Sequence, residues 1–319
     1  MTWDWLWRRL VSVVIVLFAV SIVTYLLLEA LPGSTAAAIL GPGATPETIA
    51  VVEKDLNLDD PLPQRYVTWL GRAVQGDLGV SYRTGEVVTA TLQDRIPTSL
   101  ELLLLTQAVS VGVAVVTALV SARREGGRVD RTLSGSSFVA LALPQFAFGI
   151  VLLIVFAQKL RWFPVAQYVH FSDDPIGNLR AMTLPVVTLA VPLAAIYYRV
   201  LRTDLQQTLR SDHISFAKAI GLSPRRILLG RALRPSSLTL ISVIGLNTAL
   251  LLGGAVIVER LFSLPGLGSQ LTISVATRDI VMVQGATLAI ALIYVLINLC
   301  VDIALTILDP RIRLSRTAA

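Results

Sequence analysis

A helix needs roughly 20 apolar residues to cross the hydrocarbon core of a bilayer. This chain carries about six stretches of that kind, near Leu10–Leu28, Ser99–Ala122, Leu133–Ala157, Met182–Leu201, Leu238–Val258 and Met282–Leu308. They lead to an all-α membrane protein with about six transmembrane helices. Composition agrees: of 319 residues, 54% are hydrophobic and only 15% charged, against about 25% charged in an ordinary soluble domain. The first stretch follows Arg8 and Arg9 and precedes Ala36-Ala37-Ala38, a pattern similar to a signal peptide and its cleavage site. Its apolar part exceeds the roughly 7–15 residues of a signal sequence, so a retained helix is expected.

Orientation follows from the arginines. Arg8 and Arg9 precede the first span, Arg123, Arg124, Arg128 and Arg131 separate the second from the third, and Arg202, Arg210, Lys218, Arg225, Arg226, Arg231 and Arg234 separate the fourth from the fifth. Arg311, Arg313 and Arg316 follow the last. The positive-inside rule puts these segments, and both termini, in the cytoplasm of a multi-pass plasma-membrane protein. The net charge of +6 then marks cytoplasmic loops, not a nucleic-acid partner. His170 and His213 fall on opposite sides, and the single Cys300 cannot form an intrachain disulfide, so no Cys/His metal cluster is expected.

Two polar stretches interrupt the apolar ones. Leu31–Pro97, on the outside, is too long for a simple connector. In it Thr45-Pro46-Glu47 reads as an N-cap, a first-turn proline and a first-turn acid, opening a short helix through Leu56. Thr203–Pro235, on the inside, reads as two short helices joined at Gly221-Leu222-Ser223-Pro224. Glycine suits the end of the first and proline the first turn of the second. Ala217 and Gly221 share one face at i and i+4, with Phe216, Ile220, Leu222, Ile227 and Leu228 around them. Two readings fit this segment: an amphipathic helix lying on anionic lipid, or a helix that lets another protein approach closely. No Gly-x-x-x-x-Gly-Lys-Ser/Thr run is present, so the chain has no P-loop. Leu133-Ser134-Gly135 resembles an ATPase signature only superficially, since it opens a membrane helix. No hydrolase triad emerges either. The chain reads as a non-enzyme without a cofactor of its own.

Ser215-Phe216-Ala217-Lys218-Ala219-Ile220-Gly221-Leu222-Ser223 resembles the EAA loop of binding-protein-dependent ABC importers, in its peptide-permease form. Ala217 and Gly221 match the family pattern, whereas Ser215 replaces its acid and Phe216 its first alanine. Thr239 stands where the peptide branch usually has proline, with Pro235 upstream. Further matches span nearly the whole chain. Leu56-Asn57-Leu58-Asp59-Asp60-Pro61-Leu62 and Gly76-Asp77-Leu78-Gly79-Val80-Ser81 resemble the first external loop. Arg95-Ile96-Pro97-Thr98-Ser99-Leu100 resembles the start of the second helix, and Pro144-Gln145-Phe146 with Trp162-Phe163-Pro164-Val165 resembles the third helix and its exit. Glu259 through Gly268, with Arg278-Asp279, resembles the last external loop, and Asp309-Pro310-Arg311-Ile312-Arg313 the C-terminal end. Ser34 and Val281 depart from the family pattern. The long first loop points to the B-type subunit of the dipeptide/oligopeptide branch.

The resemblance implies one transmembrane domain over 1–319, with an extracytoplasmic loop at 31–97 and a coupling loop at 203–235. It implies an importer whose peptide path lies between this chain and a second homologous permease subunit. The other implied partners are an extracytoplasmic binding protein and two cytoplasmic ATPase domains, which carry the ATP and Mg. Ser215, Phe216, Ala217, Ile220, Gly221 and Leu222 would dock on the ATPase. Glu259, Phe262, Pro265, Gly266, Arg278 and Asp279 would form an external gate or a binding-protein contact. Plainer readings stand beside these: a turn at Pro265-Gly266-Leu267-Gly268 beside an external re-entrant helix, a solvated ion pair among Glu259, Arg278 and Asp279, and a kink at Pro144. Gln145 and Asn247 either face the translocation path or bond across helices. The family also includes nickel and glutathione importers, and hydropathy alone would also fit a secondary transporter.

Overall fold

The computed structural model of the protein describes residues 3–29, 36, 40, 43–55, 60–81 and 83–308. Among these there is no strand, only an isolated bridge between Val80 and Val87. The helices are α1 (Trp3–Glu29), α2 (Pro46–Asp55), α3 (Leu62–Val74), α4 (Val88–Arg123), α5 (Arg128–Ala142) and α6 (Gln145–Leu152). They continue with α7 (Pro175–Leu209), α8 (Asp212–Ala219), α9 (Leu233–Leu261), α10 (Leu267–Ala276) and α11 (Ile280–Leu308). Among the described residues, five helical segments are long and apolar enough to cross a membrane, and a sixth span results if α5 and the helix after it count as one. The protein is thus an all-α, multi-pass membrane protein.

The third apolar stretch is not one helix. Its halves, Arg128–Ala142 and Gln145–Lys159, are bent by 100°. The cause is local. Proline disfavours the helical conformation in the residue before it, and Leu143 is extended (φ −79°, ψ 124°), as is Pro144 itself (φ −60°, ψ 125°). The sequence suggested a kink within one span; the structure has a full break, followed by α6 and a π segment, Leu153–Lys159.

The chain divides into two compact units, Met1–Ser99 with Pro265–Leu296, and Leu100–Leu264 with Ile297–Ala319. In the first, α2 covers Pro46–Asp55 and the Thr45 hydroxyl accepts from the Thr48 N–H at 3.3 Å. Helix α3 was not expected from the sequence. Pro61 and Pro63 open it, and it lies along α1, where Tyr66 Oη sits 2.7 Å from Ser21 Oγ. Tyr66 also meets Phe18, Tyr25 and Trp69 edge-on or tilted, with ring centroids 5.4–6.1 Å apart. In the second unit α7 is central: Leu189, Tyr197, Leu201 and Leu205 are fully buried among side chains of α4, α6 and α9.

Candidate coupling and gating sites

Two residues, Arg210 and Ser211, separate α7 from α8. The far end of α8 closes in a Schellman cap: the Gly221 N–H donates to Lys218 O at 3.0 Å and the Leu222 N–H to Ala217 O at 3.2 Å. Such a cap needs a left-handed residue, and Gly221 has φ +80°. Ile214, Ala217 and Ile227 form a small buried core, with Leu209 and Leu222 packed against it. Ala217 is therefore only 5% exposed, while Phe216 and Ile220 are 68% and 59% exposed. Ser215 is exposed, and Leu222 half-buried. The sequence suggested that Ala217 keeps a docking face shallow, but its methyl group faces the loop's own core. The outward apolar pair is Phe216 and Ile220, again at i and i+4.

The segment beyond the turn corrects a second expectation. In place of a short second helix, the chain makes one helical turn at Pro224–Arg226, a π segment at Ile227–Ala232 and then α9 without a gap. Pro235 does not end the segment but lies in α9. It has no N–H to donate, and its i−4 residue, Arg231, lies in the π segment, where the i to i−4 register is already relaxed.

The side of the bundle that holds α8 also contains a polar cluster missed in the sequence. Asp130, in the first turn of α5, is buried. Arg202 of α7 grips it with two bonds, Nε to Oδ1 and Nη2 to Oδ2, both 2.7 Å. The Ser121 hydroxyl of α4 donates to the same carboxylate, and the Gly126 N–H donates to Oδ2 at 2.9 Å. Tyr198 Oη lies 3.0 Å from Ser121 Oγ and 3.2 Å from Ser134 Oγ. Nearby, Arg210 donates to exposed Glu125 at 2.6 Å. In the sequence Asp130 was one acid among arginines, and Arg202 was counted only as loop charge.

At the other candidate site the residues separate by unit. In the second, Glu259 and Phe262 are buried, and α9 ends with Ser263 at φ 53° and the Leu264 N–H donating to Glu259 O at 2.8 Å. In the first, Pro265 is half-buried and Gly266 buried. There α10 begins with the Leu267 N–H donating to Ser99 Oγ at 2.8 Å, and it ends at exposed Arg278, with φ 56°. Non-glycine residues at such φ carry strain. Asp279 is 3% exposed, so it is no member of a solvated pair. Its carboxylate accepts from the Ser81 hydroxyl at 2.6 Å and from the Met282 N–H at 3.2 Å, which ties the first loop to the start of α11. Gly79 stands close by, where an added Cβ would meet Val281 Cγ1 at 3.2 Å.

Of the two path candidates, Asn247 is buried and its amide donates to Val243 O of its own helix at 2.8 Å. Gln145 is half-buried against α9, with its Oε1 3.0 Å from where a Cβ on Gly254 would stand. A further polar chain joins three helices: Tyr197 Oη donates to Gln107 Oε1 at 3.0 Å, and Gln107 Nε2 donates to Thr248 Oγ1 at 2.9 Å. Gln107 was hidden in an apolar run and could have been singled out by its polarity alone.

Residues 114–314 match the family described as binding-protein-dependent transport system inner membrane component, and residues 2–103 match that system's N-terminal membrane component. The chain is 37% identical over 306 residues to a protein of Sinorhizobium fredii named a probable peptide ABC transporter permease, y4tP, covering 96% of this chain and 98% of that one. It is 34% identical, over the same shares, to a Brucella abortus protein named a putative peptide transport system permease. It is 30% identical to the oligopeptide transport system permease AppB of Bacillus subtilis, again over 96% and 98%. With matches over nearly its full length, the chain belongs to the family of binding-protein-dependent transport system inner membrane components.

Proposed function

We propose that this chain is a permease subunit of an ATP-driven peptide importer. The near full-length similarity to proteins named as peptide permeases carries this reading. In it, peptide delivered by an extracytoplasmic binding protein passes between this chain and a second homologous permease subunit. ATP and Mg are held by two cytoplasmic ATPase domains on other subunits. Both termini are cytoplasmic, in keeping with the arginine distribution.

The exposed Phe216 and Ile220 of α8 are the apolar contacts offered to the ATPase, with Ser215 beside them. Ala217, Leu222 and Gly221 act from behind: Ala217 and Ile214 hold α8 against Ile227 and Leu222, and Gly221 closes its end. A helix fixed in this way passes on a push instead of absorbing it. Because α8 sits between α7 and the helix leading into α9, movement at Phe216 and Ile220 reaches both spans. On the outer side, Ser81, Asp279 and the strained end of α10, all in the first unit, are the parts suited to a gate or to a binding-protein contact. Copurification tests the assignment: the membrane-extracted chain should bring down an ATP-hydrolysing subunit. A chain that purifies from its native membrane with none would contradict it.

A further inference from the structure

We infer that Asp130 and Arg202 are positioning residues: their clasp makes the α4–α5 turn and the last turns of α7 move as one body, so that displacement of α8 reaches α5 as well as α7. This rests on the coupling role proposed for α8.

The two residues lie 72 positions apart in the chain, on different helices, yet meet through two 2.7 Å bonds. A two-pronged arginine–carboxylate pair fixes an angle as well as a distance. Ser121 and Gly126 occupy further acceptor sites of Asp130, and Tyr198 links Ser121 to Ser134, so α4, α5 and α7 are joined at one point. A second tie runs beside it, with the Arg199 guanidinium 4.1 Å from the centre of the Phe138 ring. From Arg202 the chain needs only two more turns to the end of α7, followed by Arg210, Ser211 and α8. In the other direction α5 runs to the break at Leu143–Pro144, beyond which Gln145 meets α9.

Stability alone does not require such a pair. A buried ion pair is often replaceable by neutral groups of similar size without loss, whereas removal of one partner strands a buried charge. What neutral groups do not reproduce is the rigid, angle-specific joint. Since α4 and α5 are joined by a turn at 124–127 containing Gly126 and Gly127, the clasp is the buried tie that holds that turn to α7, beside the exposed Arg210–Glu125 pair.

The test uses the assembled importer in proteoliposomes, with peptide uptake and ATP hydrolysis measured together. The neutral double variant Asp130→Asn/Arg202→Gln and the single variant Arg202→Lys should insert and retain the ATPase subunits. Peptide carried per ATP should fall about tenfold, the scale of a lost coupling interaction. A fall of less than about twofold in assembled complexes would overturn the inference.

A second measurement leaves the clasp intact and does not depend on those variants inserting. Spin labels at Arg124→Cys and Gln207→Cys, both exposed sites, in a Cys300→Ser chain report the distance across the joint. It should stay within about 2 Å between nucleotide-free and ATP-bound complexes, whereas a change near one helical turn, about 5 Å, would overturn the inference. If the parent complex captures no ATPase and moves no peptide, the proposed function falls and the clasp with it. If the parent transports and the clasp variants do too, only the clasp falls.

Discussion

Gly221 has φ +80° and nothing within 4 Å of where a Cβ would stand. A side chain there is strained by its own backbone and not by a neighbour. The cost for an ordinary L-residue is roughly 1–2 kcal/mol, with asparagine the best tolerated. Gly221→Val should therefore lower the peptide carried per ATP in the reconstituted importer, Gly221→Ala less so, and Gly221→Asn least. Equal coupling across the three variants would show that the left-handed cap does not matter. The position was legible in the sequence because a glycine followed three residues later by a proline, as in Gly221-Leu222-Ser223-Pro224, is a common way to stop one helix and start another. Ser263 and Arg278 were not legible in the same way. They take the same left-handed helix-ending role without glycine, and nothing in their side chains announces it. Asp279 shows the opposite failure. Its charge suggested solvent, but Ser81, 198 residues away, supplies the hydrogen bond that lets it be buried.

At the scale of the element, α8 has two apolar faces, and that is why its orientation could not be read from sequence. Ile214 and Ala217 make one face, covered by Leu222 and Ile227 from beyond the turn, and Phe216 with the capping Ile220 makes the other. Spacing put Ala217 and Gly221 together but gave no sign of which face the protein keeps for itself. The structure turns this into a distinction between two variants. Phe216→Asp should leave α8 folded and weaken retention of the ATPase subunit. Ala217→Arg should force a charge into the Ile214–Ile227 core and lower the amount of inserted permease before any docking is tested. Copurification normalised to inserted protein separates the two, and normal insertion of Ala217→Arg would contradict the packing described here. The spans were legible because lipid demands long apolar helices. Helix α3 was not, because its sequence is short and mixed and it gains its place by packing Tyr66 and Trp69 against α1. The break at Pro144 was half-legible: proline announced a disturbance, while the 100° turn also needed the extended conformation of both Leu143 and Pro144.

At the scale of the whole molecule, the proposed function is that of a membrane subunit driven by ATPase domains on other subunits. In the proposed function the arginine-rich segments, including the loop that carries α8, face the ATPase, and the loop that holds Ser81 faces the delivery side. Impermeant thiol reagents give a check in intact cells. A cysteine at Asp173 should label from outside, and one at Arg128 only after the cytoplasm is opened; labelling of position 128 from outside would invert the orientation. The most direct test of the central claim is uptake itself. The complete importer, reconstituted in proteoliposomes with its binding protein outside and ATP enclosed, should accumulate labelled oligopeptide, and the uptake should stop when ATP is replaced by a non-hydrolysable analogue. Peptide uptake that persists without ATP hydrolysis and follows an imposed ion gradient, or no peptide uptake by an ATP-hydrolysing complex, would contradict the account.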